Sequence, residues 1–158
     1  MAVELITKNG SPMSPGNFMR LMKSILSDGK LDGCGISASG ASITVAAGRI
    51  VAGGALVVIE STTVTASAAG ELVLRIDTSG EGTASILART AVTLTKQDIT
   101  GAGTVYEVQI ATFGFTSGAV SGLSVKIGTA KPVSSSGSGI YVQQSAPSSP
   151  ASGDLWLW

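Results

Sequence analysis

The sequence predicts a mainly β chain: an antiparallel β-sandwich or small barrel with one N-terminal amphipathic helix and an extended C-terminal tail. Three observations predict it. From Gly33 onward the chain breaks into short runs of Val, Ile, Leu and Thr punctuated by Gly and Ser, the pattern of many short antiparallel strands. Those runs follow one another without helical segments between them, which disfavours an α/β sheet built on crossover helices. Beyond Pro132 the composition turns to Ser, Gly and Pro, with little capacity to bury a core. A length of 158 residues fits one domain plus a tail. The division expected is a β-rich assembly domain over 1–132 and a linker with a docking peptide over 133–158.

Taken in order, Glu4–Thr7 can form a short strand, and Lys8–Pro12 carries the Asn-Gly and Ser-Pro signals of a turn. A helix over about 15–28 follows, some four turns long. Ser14 is a suitable N-cap, Pro15 sits where its missing N–H costs nothing, and Gly29 stands where a left-handed residue can end the helix. Phe18, Leu21, Met22, Ile25 and Leu26 recur at three- and four-residue steps and form one apolar stripe. Arg20, Lys23, Ser24 and Ser27 take the other face. The stripe serves either as internal core or as an oligomer seam, and Met19 widens it beyond a narrow coiled-coil line.

Among the strands, Ile43 and Val45 alternate with Ser42 and Thr44, and Arg49–Val51 and Ala55–Glu60 follow around Gly53-Gly54. This reads as a meander. Glu71–Asp77 and Thr83–Arg89 read as a hairpin, with Leu72, Leu74 and Ile76 on one face. Val105–Phe113 is the clearest strand, and Leu123, Val125 and Ile127 mark a last one.

Composition excludes several classes of function. Ten acidic and ten basic side chains give a formal charge of zero, so there is no electrostatic footprint for nucleic acid or anionic lipid. A chain with so little self-repulsion is expected to associate. The longest apolar run, Ala55–Ile59, is far short of the ~20 residues of a membrane-spanning helix. The opening Met1–Ile6 lacks the features of a secretory signal, so synthesis is expected to end in the cytoplasm. Cys34 stands alone and supports neither an intrachain disulfide nor a thiolate metal cluster; between two glycines it reads as a small buried or half-buried residue. The chain has no histidine, the side chain most used for acid–base work and metal ligation near neutrality.

Motif by motif, the chemistry expected is none. Asp77 and Glu81 are the best-spaced carboxylate pair, but they flank a hairpin turn where acids serve solvation and turn geometry. The same loop lacks the oxygen-ligand series of an EF-hand. Gly101-Ala102-Gly103 has no third glycine at the dinucleotide-binding spacing, no nucleophile elbow is present, and Asn9-Gly10-Ser11 is read as a turn rather than a glycosylation site. No catalytic residue, cofactor or metal is expected. The tail differs: after the spacer come Leu155, Trp156, Leu157 and Trp158, an apolar peptide suited to adding a strand or filling a groove on a partner.

Three stretches and the tail carry a resemblance. Ser42–Gly48, Glu71–Asp77 and Val105–Phe113 resemble small tail and baseplate-associated modules of tailed bacteriophages, in which a V-x-x-G turn precedes an L-x-L-R-I-D strand and a Y-E-x-x-x-A-T strand closes the domain. Ala146–Trp156 is similar to a P-x-x-P-x-x-G-D-L-W element of phage fibre proteins. Together the span from Ser42 to Phe113 and the tail element take in about half of the chain. Fibre proteins usually continue into a shaft or a carbohydrate-binding tip, whereas this sequence stops at Trp158. The resemblance therefore implies a non-enzymatic virion protein made in the host cytoplasm: a tail, baseplate or fibre carrier or adaptor, whose partners are copies of itself and other virion proteins. The alternatives it leaves are a host-surface glycan-binding module and a head or neck fibre or capsid decoration protein.

Overall fold

The computed structural model describes residues 14–91, 93–133, 140–142 and 155–157. The strand expected at Glu4–Thr7 and the turn after it lie outside these residues. The described chain is mainly β with one helix, an open sandwich rather than a closed barrel.

Helix α1 spans Pro15–Ile25, and the Ser14 hydroxyl accepts the Asn17 N–H at 3.3 Å, as an N-cap should. It stops short of residue 28 because Leu26 is already extended, with φ −129° and ψ 139°, and bridges Pro132. The Ser27 N–H then donates to the Lys131 carbonyl at 2.8 Å. Gly29 is not the helix end; it opens a strand, and a Cβ there would run into the backbone of Ala130. Tertiary hydrogen bonds to the 128–133 segment thus win over the local helix signal.

The first sheet is a three-stranded antiparallel meander bent in the middle. Its strands are β1 (Gly29–Gly33), β2 (Ile36–Ser39), β3 (Ser42–Val45), β4 (Gly48–Ala52), β5 (Ala55–Ile59) and β6 (Thr62–Thr65). The pairings are β1-β4-β5 and β2-β3-β6, yet the register runs straight through the bend. Gly33↔Gly48 and Ile36↔Val45 lie on either side of it, as do Gly48↔Ile59 and Val45↔Thr62. Cys34 N–H to the Ala47 carbonyl and Ala46 N–H to the Gly35 carbonyl bridge the corner. Each long strand is therefore one ribbon folded at residues 34–35, 46–47 and 60–61. At the corner Gly33 and Cys34 take φ of 55° and 54°, a backbone that glycine adopts freely and cysteine rarely. Cys34 is fully buried there.

The second sheet has the order β10-β9-β7-β8, all antiparallel. Its strands are β7 (Gly70–Asp77), β8 (Thr83–Arg89), β9 (Val105–Thr116) and β10 (Ala119–Val125). Leu72, Leu74 and Ile76 point into the core as their alternation predicts. On β9 the alternation changes phase. A bulge opposite Leu72/Val73 leaves Ile110 unpaired with β7, so Ile110 and then Ala111 and Phe113 are all buried. Between the sheets these side chains meet Ile43, Val45, Ile50, Val57 and Ile59, the layered core of a sandwich.

One side of the sandwich is closed. Val120 N–H reaches the Gly40 carbonyl at 2.8 Å, Ile127 is buried, and Lys30 pairs in parallel with Thr129 along the β1 edge. On the other side β5 and β6 end the first sheet and β8 ends the second, with β6 approaching β8. In the tail, β11 (Ile140–Val142) and β12 (Leu155–Leu157) pair with each other in parallel.

Candidate assembly surface

Helix α1 is amphipathic and sits on the domain with Met19, Met22, Ile25 and Leu26 half-buried and Phe18 and Leu21 exposed. Arg20 Nε donates to the Thr100 carbonyl at 3.1 Å, and Lys23 Nζ lies 2.7 Å from Asp98 Oδ1. The helix also rests on the β4–β5 turn, where Met19 O and the Lys23 stem approach Gly54 so closely that a Cβ would clash. Met19 is the helical side chain packed on the core. At about 100° per residue, Phe18, Leu21 and Ile25 project roughly opposite to Met19, Arg20 and Lys23. No α1 residue is buried, and Phe18 and Leu21 remain 37% and 43% exposed.

Arg20 and Lys23, on the other face, are exposed and bind the 98–100 loop, while the stripe expected as core or seam is at most half-buried. Met22 and Ile25 are half-buried, and Leu26 is tied to Pro132. Val133 extends the ridge, its N–H donating to the Ile25 carbonyl at 3.0 Å and its side chain 45% exposed. Asp98 anchors this arrangement: Lys23, then the Thr100 hydroxyl and N–H, hold its carboxyl down at about 2.

No protein-family model matches the chain, and no curated protein does.

Several other charged groups of the described domain are committed to structure. Asp77 accepts from both the N–H and the hydroxyl of Ser79, at 2.9 and 2.6 Å, which closes the β7–β8 turn and holds its carboxyl below the ordinary range. Glu81 is exposed on that turn. Gly101 and Gly103 both donate to the Asp98 carbonyl in a tight loop. Tyr106 gives its hydroxyl to Asp28 at 2.6 Å, with its ring against Gly53. Burial, then the Asp28 carboxylate, push that phenol upward.

Two acids that alternation places on the outward face of the second sheet are nevertheless buried: Glu71 at 2% exposure and Glu107 at 1%. Arg89 grips Glu107 in bidentate fashion, at 3.0 and 3.1 Å. Arg75 adds a bond at 3.1 Å and the Thr95 N–H another at 2.8 Å. Glu71 takes Gln109 at 2.6 Å and Arg89 at 3.4 Å. Burial alone would raise the Glu107 carboxyl; the bonds from Arg89, Thr95 and Arg75 outweigh it and bring it down to about 2. Such a carboxylate stays ionised at neutral pH, so its role is to bind β7, β8, β9 and the 95–97 segment together. The signal available in the sequence was the pairing of Arg75 with Glu107 and of Glu71 with Arg89 on neighbouring strands.

Of the tail residues expected to bind a partner, Leu155, Trp156 and Leu157 form β12, and Trp158 lies outside the described residues. No described helix is long and apolar enough to cross a membrane.

Proposed function

We propose that the chain is a non-enzymatic structural protein of a bacteriophage virion, a tail, baseplate or fibre carrier or adaptor. It self-associates through α1 and engages a neighbour through its C-terminal peptide. One observation carries the assembly part: an amphipathic helix seated on the domain through Met19 and its bonds to the 98–100 loop, with Phe18, Leu21 and Val133 left exposed. An 11-residue helix is marginal in water by itself and draws its stability from burying its apolar face. Covering the exposed two-fifths of Phe18 and Leu21 is worth about 1 kcal/mol each, taken from full-burial values of 1.5–3. A two-fold or higher closed symmetry repeats that gain in every copy. Zero net charge leaves no long-range repulsion against it. The phage assignment rests on the resemblance of Ser42–Gly48, Glu71–Asp77, Val105–Phe113 and Ala146–Trp156.

The test of the virion assignment is direct. Mass spectrometry of purified particles from a producing lysate should find the protein in fixed stoichiometry with the other particle proteins. Deleting residues 146–158 should release either this protein or its neighbour from the particle. Particles that lack the protein altogether would overturn the assignment.

A further inference from the structure

The open side of the sandwich is a groove of about 510 Å³. Val57, Ile59 and Thr62 line it from the first sheet, and Leu74, Ala84 and Ile86 from the second. Both of its rims are terminal strands, β5–β6 and β8. A terminal strand presents a row of N–H and C=O groups ready to pair, and proteins that must stay apart blunt such edges with lysine, proline or bulges. These rims carry none. Residues 55–65 hold Glu60 as their sole charge, β8 has Arg89 at its far end, and β8 pairs with β7 without a register shift. The wall between them sets apolar Val57, Ile59, Leu74 and Ile86 beside Glu60, Thr62 and Ser85.

The tail has the complementary shortage. β11 and β12 contribute three paired residues each, in parallel, and a two-stranded ribbon of that size does not hold by itself in water. It needs a further edge. Its own domain offers one on the wrong side: the chain leaves through Pro132 and Val133 beside α1 and the β1 edge, while the groove lies at β5, the opposite edge of β1-β4-β5. Residues 134–139, which join Val133 to β11, span about 20 Å at most when extended, which favours the groove of an adjacent molecule over the chain's own on the far edge.

We propose that this groove receives the Leu155–Leu157 strand of a second copy, which pairs with the β8 rim and buries the Leu-Trp peptide against Val57, Ile59 and Ile86. The inference rests on the assembly reading above and names both the neighbour that the tail engages and the place where it binds.

The chain's two tryptophans are Trp156 and Trp158, so intrinsic tryptophan emission reports the tail alone. Full-length protein would be followed by emission wavelength and acrylamide quenching across a dilution series, with light scattering on the same samples. The expected result is blue-shifted emission and at least twofold weaker quenching in the associated state, both lost on dilution to monomer. Ala84→Arg, on an exposed residue of the β8 rim, should hold quenching at its dilute value at all concentrations while α1 still holds copies together. Thr62→Arg, on the facing wall, is the second variant should the first fail to fold by circular dichroism. Three outcomes would overturn the proposal while leaving assembly intact: equal quenching in monomer and oligomer, protection that persists in the dilute monomer, or protection that survives both variants. A wild-type chain that is monomeric throughout would instead overturn the assembly reading, and this proposal with it.

Discussion

Replacing Glu107 with glutamine should cost stability at neutral pH and progressively less in acid. The carboxyl titrates at about 2 in the folded chain against an ordinary 4.5. That difference, at 1.36 kcal/mol per pH unit, corresponds to about 3 kcal/mol of stabilisation from ionised Glu107. Because the folded value is depressed, the unfolded chain takes up the proton first as pH falls. The contribution is therefore whole above about pH 5 and is lost as pH drops toward 2. In the Glu107→Gln variant, Arg75 and half of the Arg89 fork lose their anion, and the amide cannot reproduce the bidentate grip. Urea denaturation of both proteins at one fixed concentration, at pH 7, 5 and 3, should show a gap of about 3 kcal/mol at pH 7 that narrows by pH 3. A gap of the same size at all three pH values would refute the reasoning, since it would place the loss in packing rather than in the ionised pair.

Two further outcomes follow from local geometry. Gly54→Ala should be more destabilising than Gly40→Ala in thermal melts. Both sites have positive φ, at 88° and 57°, but a Cβ at Gly54 meets α1 whereas at Gly40 it meets open space; equal losses would mean that the helix is not seated on the turn. Cys34 is fully buried, and burial pushes its thiol above the ordinary value, so it should resist alkylation at pH 8 until the chain is unfolded by denaturant. Rapid labelling of the native protein would show that the 34–35 corner opens.

Much of the fold was legible because it depends on local rules. Gly53-Gly54 between two apolar runs gives the β4–β5 hairpin, Ser14-Pro15 starts the helix, and Leu72, Leu74 and Ile76 face the core. What escaped depends on distant partners. Periodicity groups Phe18 with Leu21 and Ile25, but it does not say that Asp98 and Thr100 will capture the opposite face through Lys23 and Arg20. Nor does alternation along β9 foresee the bulge at Ile110 or the two arginines that make Glu107 a buried residue. The helix ends at Ile25 rather than near residue 28 for the same kind of reason: the 128–133 segment, a hundred residues on, takes its backbone partners. For helix α1, the apolar spacing was legible and the seating on the domain was not.

The measurement that bears most directly on self-association through α1 is sedimentation equilibrium of the full-length chain beside a Phe18→Asp/Leu21→Asp variant. Both positions are exposed in the isolated fold, so the variant should keep its circular dichroism spectrum. The account predicts a wild-type oligomer of defined stoichiometry and a variant that sediments as the 15.7 kDa monomer at the same loading. A wild-type chain that stays monomeric when concentrated, or a variant that associates as strongly as the parent, would contradict it.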